Sequence, residues 1–313
     1  MSHEAGLETK PGETAVTESK WTIGVSSGQT VCEVASRVLD ARLKAVCHIL
    51  PLAAEKGNAD MEHVHQLRIS VRRAVEAVKM FAALVPESEV GPLRGRLRRI
   101  RLAADEARNW DVMIERFSHG EGVQAAILEQ MRTKREEAQG PIVAVHQEID
   151  TEACKARLDK VMQEIASDRR SEGKRRFGRE APRYLAPVVK NFFKAAQADL
   201  TTDEALHELR IRTKKVRYAM EIVAVSFDSA FRKKLYKRVT LFQDLLGTLN
   251  DHATARSLFG EWSSKCEDVA QKAFLEGLLL AEQQAAKDLQ AAFLATWTPK
   301  VVARLKKQFA DYC

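Results

Sequence analysis

Apolar residues recur along this chain at spacings of three and four, which is the pattern of helices with one buried face. The pattern begins at Thr30, with Val31, Val34, Ala35, Val38 and Leu39 on one stripe, and runs through Pro51 to a stop before Gly57-Asn58. Asp60 reads as the N-cap of a second helix, and Glu62 is favourable in its first turn. That helix carries Val64, Leu67, Val71, Ala74, Val78, Phe81 and Val85 on one face and ends at Pro86. A third begins near Pro92 and passes through an arginine-rich run to Asp111 or beyond, with room for a break near Asn109. Residues 123–166 read as helical, interrupted at Gly140-Pro141. Long helices with short connections predict an antiparallel bundle. Ahead of them, residues 1–27 are rich in Glu, Thr, Ser and Gly, with Trp21 and Ile23 isolated, and predict a disordered tail.

The pattern then repeats at a constant offset of 142 residues. His65-Gln66-Leu67-Arg68-Ile69 aligns with His207-Glu208-Leu209-Arg210-Ile211, and Arg72-Arg73 with Lys214-Lys215. Without a gap, Val78 meets Met220, Leu93 meets Leu235, and Arg108-Asn109 meets Asn250-Asp251. Two clusters in one register predict an internal duplication: an all-α chain of two antiparallel four-helix bundles related by a pseudo-two-fold axis. The expected parts are the tail at 1–27, a first bundle at 28–168 and a second at 169–313. The polar, arginine-rich stretch from Ser167 to Gly178 is the join.

Composition narrows the function. The net charge of +7 points to a polyanionic partner such as polyphosphate, nucleic acid or an anionic membrane surface, although it also serves plain solubility. The five cysteines, Cys32, Cys47, Cys154, Cys266 and Cys313, are scattered with no CxxC pair, which suggests neither a zinc site nor a disulfide framework. No signal-peptide pattern and no long apolar run is seen, so the cytoplasm is the expected compartment.

At about 100° per residue, His65, Arg68, Arg72, Glu76 and Lys79 fall on one helical face, opposite Leu67, Val71, Ala74 and Val78. In the repeat, His207, Arg210, Lys214, Arg217, Tyr218 and Glu221 fall opposite Leu209, Val216, Met220 and Val223. An ordinary solvated face mixes signs at i,i+4. Residues 65–73 and 211–217 hold no acid, so the stacked cations imply an absent anion. Arginine suits phosphate through its two-pronged guanidinium, and lysine adds point charge. The candidate site is therefore His65, Arg68, Arg72 and Arg73 with His207, Arg210, Lys214, Lys215 and Arg217. Arg98, Arg101, Lys237 and Arg238 on the next helices stand in the second rank. Replacing face residues such as Arg68 is expected to leave stability almost unchanged.

Glu62-x-x-His65 and Glu204-x-x-His207 have the spacing used in di-iron bundles. The two further helix glutamates such sites need are missing, and the neighbouring arginines repel a cation. No metal or other cofactor is expected. A phosphoacceptor histidine ranks below anion binding, because no partner domain is visible.

These segments resemble the CHAD family, the conserved-histidine α-helical domain. The likeness rests on residues 65–73, on 207–218, on Arg108-Asn109-Trp110-Asp111-Val112 and on Leu246-Gly247-x-Leu249-Asn250-Asp251. Asn109 stands where the family has Asp, and Ala103-Ala104 where Leu-Gly is common. The resemblance covers roughly residues 28–313. It implies paired helical bundles with a basic central groove, binding of inorganic polyphosphate, and targeting to polyphosphate granules. Some relatives carry a fused triphosphatase domain opened by a Glu-x-Glu-x-Lys strand, and this sequence has no such segment. The expected function is thus noncatalytic binding. The rivals are a phosphohydrolase or histidine phosphotransfer enzyme and a nonspecific nucleic-acid binder. Against the first, there is no P-loop and no acidic metal cluster. Against the second, the basic faces lack interleaved aromatics for base stacking.

Overall fold

The computed structural model describes residues 20, 21, 24–118, 123–149, 151–168 and 172–313. Among them the chain is helical throughout, and the one β-like feature is an isolated antiparallel bridge between Thr30 and Arg176. The first half runs α1 (Val31–Lys56), α2 (Met61–Met80), α3 (Glu87–Phe117), α4 (Val123–Glu137), α5 (Gly140–Glu148) and α6 (Thr151–Ala166). The second runs α7 (Phe177–Ala195), α8 (Asp203–Val223), a 3-10 turn (Ala224–Ser226), a π turn (Phe231–Tyr236), α9 (Lys237–Lys265), α10 (Val269–Thr296) and α11 (Pro299–Ala310). The start of α8 follows that of α2 at the offset seen in the sequence.

Local chemistry accounts for most of the helix ends. Thr30 closes a capping box on α1: its hydroxyl accepts from Glu33 N–H, and Glu33 Oε2 accepts from Thr30 N–H at 2.8 Å. Asp60 caps α2 as expected, its carboxylate accepting from Glu62 N–H at 2.9 Å. Pro141 sits in the first turn of α5, where its missing N–H costs nothing. Thr30→Ala is expected to cost about 1 kcal/mol, read as a drop of about 1.5 °C in the thermal midpoint.

Three expectations are corrected. α2 ends at Met80, ahead of Pro86, and a run of turns carries Phe81, Leu84 and Val85 into the core. α3 passes Asn109 unbroken, because Trp110, Asp111 and Met113 each have a packed environment on one continuous helix. The predicted tail is ordered at its end, while residues 1–19, 22 and 23 lie outside the described residues. Trp21 packs on Tyr236 with ring centroids 4.8 Å apart, and the Arg232 guanidinium lies 5.1 Å from the same ring. The Lys20 carbonyl accepts from Arg42 at 2.7 Å, and Gly24 takes the left-handed φ of 75° as the chain turns towards α1.

The packing joins the halves. α2 lies against α8, α1 against α7, and α4 against α10. The main apolar core runs from Val31 to Phe309 without a division, and a smaller cluster joins Met113, Ile127 and Met131 to Ala255, Phe259 and Leu275. Residues 169–171, at the expected boundary, lie outside the described residues, and the core passes across that boundary. Where the halves begin, Val31 N–H donates to Arg175 O at 2.9 Å and Phe177 N–H to Gln29 O at 2.8 Å. Among the described residues no helix is long and apolar enough to cross a membrane.

Candidate anion-binding site

α2 and α8 are the helices that carry the two His-x-x-Arg segments, and their contact sets the site. Leu67, Val71, Ala74 and Val78 on α2, and Leu209, Val216 and Met220 on α8, are fully buried. Burying these stripes leaves each helix only one way to turn its cations. Arg68 and Arg72 from α2 meet Arg210 and Lys214 from α8 closely enough to repel one another.

The electrostatics of this cluster are those of like charges held close together and partly out of water. Burial, then Arg72, Arg210 and Arg68, push the Lys214 ammonium down to about 6. Burial and Arg72 push Arg68 down to about 10, with Asp105 opposing. Arg210 is lowered by burial and then by Arg72. Like-charged groups that burial has stripped of water depress each other's protonation in this way. Among the described residues Arg72, Arg108 and Lys214 have no hydrogen-bonded or ion-paired partner. The buried Nε of Arg210 also has no acceptor. Asp251 acts on Arg210 and Lys214 from beyond ion-pair distance. Buried donors without acceptors are costly, so an anion at this point would satisfy several at once.

His65 stands half-buried at one edge, held below the usual imidazole range by burial and then by Arg108, with Arg68 and Arg72 adding to it. His207 is exposed, and its Nδ1 lies 3.0 Å from Asn250 Oδ1. Arg108 and Asn250 are equivalent positions, so each conserved step of the repeat places a polar group near its histidine. Sequence reasoning used Arg108 to align the halves and within the third motif of the resemblance, and missed it as a site residue. That alignment was itself the available signal.

Several predicted site residues are placed elsewhere. Arg73 points away from the cluster and donates from Nε to Glu221 Oε2 at 2.9 Å. Glu221 is 1% exposed and also receives Arg217 at 3.4 Å, Arg42 at 3.9 Å and the Tyr236 hydroxyl at 2.8 Å. Arg73 and Arg217 are thus both engaged by one buried carboxylate that ties α2, α1 and the π turn to α8, while the buried Nε of Arg217 has no acceptor. Lys215 lies among Arg212, Lys79, Glu76 and Glu208, apart from the central cluster. Arg68 is shared: it donates to the Asp105 carbonyl at 2.9 Å and pairs with the Asp105 carboxylate at 3.2 Å. It brackets α2 to α3, which corrects the expectation that its loss would leave stability unchanged.

Of the second rank, Arg98 and Lys237 are exposed, Arg101 reaches Asp105 at 3.9 Å, and Arg238 is bonded to Gln308. The charges that dominate at Lys214 and Arg68 do not include these four. Among the described residues no three His, Cys, Asp or Glu side chains gather to hold a metal ion. Glu62 accepts a hydrogen bond from Gln66. Asp111, the acid of the third motif, is structural: it is fully buried and pairs with Arg135, which also donates to Gly57 O at 2.8 Å. A cleft of about 580 Å³ lined by Thr133, Trp262, Cys266 and Gln271 includes none of the candidate site residues.

Among solved structures, the CHAD domain from the plant Ricinus communis superposes with a TM-score of 0.71 at 21% identity, covering 88% of this chain and 95% of that one. PptA from Streptomyces chartreusis superposes with a TM-score of 0.65 at 17% identity, over 86% of this chain and 99% of that one. Both likenesses concern the fold. No match was found among curated proteins. The family model described as the CHAD domain matches residues 37–260, a span that holds α2, α8 and every residue of the cation cluster between them. The chain belongs to the CHAD domain family.

Proposed function

We propose that this chain binds inorganic polyphosphate through the cation cluster at the α2–α8 contact and does not transform it. The observation that carries the reading is that Arg72, Arg210 and Lys214 converge there with no paired acid among the described residues, and that Arg108, also unpaired, stands beside Arg68 and His65 at its edge. A fixed small ligand would be held by fewer, more directional groups. A flexible polymer of phosphates matches cations contributed by both halves of the repeat, with His65 at the edge and Arg98, Arg101, Lys237 and Arg238 further along α3 and α9. Family membership supports the same reading. A cytoplasmic role in recruitment to polyphosphate granules is the physiological setting proposed with it.

Calorimetry with long-chain polyphosphate tests this, alongside a competition with duplex DNA at matched charge and a turnover assay for released phosphate. Tight, salt-sensitive binding with preference over DNA and no released phosphate is the expected result. Steady phosphate release would transfer the site to the phosphohydrolase reading, and equal competition by DNA to the general polyanion reading.

Binding is also expected to depend on pH through Lys214. In the free protein this amine is largely uncharged above about 6, under the influence of burial and of Arg68 and Arg72 from α2 and Arg210 from its own helix, with Asp251 from α9 opposing. A bound polyanion favours the ammonium, so the complex holds a proton that the free protein lacks at neutral pH. Binding then takes up a proton, and affinity falls as pH rises from about 6 towards the higher value in the complex, by up to about tenfold per unit. His65 adds to the slope in the same direction at its lower end. Lys214→Arg carries a permanent charge and is expected to flatten the slope between pH 6.5 and 8 in calorimetric titrations. Equal slopes in parent and variant would remove Lys214 from the binding site.

A further inference from the structure

Two of the five scattered cysteines meet across a helix contact. α1 and α6 pack together, and three contacts fix an antiparallel register. Cys32 Sγ lies 3.8 Å from Asp168 O, the Ser36 hydroxyl donates to Met162 O at 2.9 Å, and Lys44 pairs with Asp159 at 3.0 Å. Each step forward along α1 is matched by a step back along α6, so further on Cys47 comes opposite Cys154. Both thiols line one apolar cavity of about 40 Å³, walled by Leu50 from α1, Leu97 from α3 and Leu158 from α6. Arg96 from α3 also lines it, with Nη1 3.5 Å from Cys154 Sγ. Helix axes about 8–10 Å apart, with Cα atoms about 2.3 Å off each axis, bring facing positions within the roughly 7 Å that a disulfide requires. The cavity leaves the sulfurs room to turn towards each other, and both residues are only half-buried.

We propose that Cys47 and Cys154 are a site of oxidation by peroxides, closing to a disulfide that staples α6 to α1. The proposal is independent of the anion-binding reading. The Cys154 sulfur attacks one peroxide oxygen. An S–O bond forms, the O–O bond breaks, and the other oxygen leaves as hydroxide, taking up the thiol proton to give water. The Cys47 sulfur then attacks the Cys154 sulfur. The S–S bond forms, the S–O bond breaks, and the departing hydroxide takes the Cys47 proton as a second water. Two thiols are oxidised and one peroxide is reduced.

The surroundings divide the two roles. Cys154 is the entry point, because a cation beside a partly exposed thiol is the setting in which such oxidation is selective. Cys47 is the resolving partner. Burial, then the Cys154 sulfur, push its thiol up to about 11, against Lys155 and Arg96. At neutral pH it is protonated and slow towards peroxide by itself, so its reaction depends on being held beside Cys154. The other three cysteines lack this arrangement: Cys32 is buried against Asp168 O, Cys266 lies 3.3 Å from Gln271 Oε1, and Cys313 is exposed at the far end of the chain.

The test treats the full chain with hydrogen peroxide at pH 7.5 and maps its cysteine peptides by mass spectrometry without reductant. A linked pair carrying Cys47 and Cys154, the loss of two free thiols and reversal by dithiothreitol are expected. The oxidised chain is expected to melt about 5 °C higher, because the bond closes a long loop. Oxygen added separately at each cysteine, or links through Cys313 in place of this pair, would overturn the proposal. A linked pair with no rise in melting temperature would remove the staple. Trapping with dimedone separates the steps. Sulfenic acid is expected to accumulate at Cys154 in a Cys47→Ala chain, whereas Cys47 stays unmodified in Cys154→Ala. The opposite pattern would reverse the two roles. The peptide map is made on the parent chain, so it decides the matter even where a variant fails to fold.

Discussion

Replacing Arg72 and Lys214 together by alanine is expected to weaken long-chain polyphosphate binding by about 100-fold while leaving the fold intact. Each side chain would make a charge-assisted contact worth about 1.5 kcal/mol, and the loss of two amounts to about 3 kcal/mol. The salt dependence should fall with them, the slope of log K against log salt dropping by about 1.4 for two cations on a single-stranded polyanion. Triphosphate, which cannot reach both halves at once, should bind far more weakly and lose less, because contact with both halves raises the effective concentration for the second set. The melting temperature is expected to hold or rise, since neither side chain has a partner among the described residues and Arg72 repels the guanidiniums of Arg68 and Arg210. A normally folded double variant that binds long polyphosphate like the parent, with unchanged salt slope, would disprove the site. Arg68 is a poorer probe, because its bracket to Asp105 mixes a stability effect into the result.

Glu221→Ala is expected to do the reverse, lowering stability severely. The carboxylate is 1% exposed and answers Arg42, Arg73 and Arg217 while accepting from the Tyr236 hydroxyl. Its removal leaves three guanidiniums in a poorly hydrated interior with no opposing charge. Breaking a buried pair from one side costs about 3–5 kcal/mol. That corresponds to a fall of roughly 5–8 °C in a chain of this size. Glu221→Gln keeps the shape and one acceptor and is expected to lose less. Circular dichroism melts of the two variants check the order. A Glu221→Ala protein that melts with the parent would show that the carboxylate does not tie the halves together. The same substitution also separates the two kinds of cation, because Arg73 and Arg217 belong to this network and not to the anion cluster.

Much of this was readable in the residues before any coordinates. The buried faces of α2 and α8, the caps at Thr30 and Asp60, the interruption at Gly140-Pro141 and the repeat all follow from local preferences: helical periodicity, hydrogen-bond competition at helix ends, and the missing N–H of proline. The expectation of an anion also rests on a local property, a run of like charges without acids, and the binding experiments above test it. The even treatment of the cations was not justified by the same reasoning. Helical angle places Arg72, Arg73, Lys214 and Arg217 around their own axes, and it says nothing about which neighbour closes over each one.

Those neighbours come from far away in the chain. Arg73 and Arg217 turn to Glu221 because α1, bringing Arg42, and the π turn, bringing Tyr236, enclose that end of α8 and bury the carboxylate. Trp21, isolated in the sequence, finds its place only against Tyr236 and Arg232. Arg108 comes beside His65 when α3 packs against α2, and the Lys214 ammonium is disfavoured by burial first and then by Arg72, Arg210 and Arg68, two of which arrive from the other half. Charge interactions reach across space and strengthen where water is excluded. Which cations are paired with acids, and which are not, is therefore settled by helix packing.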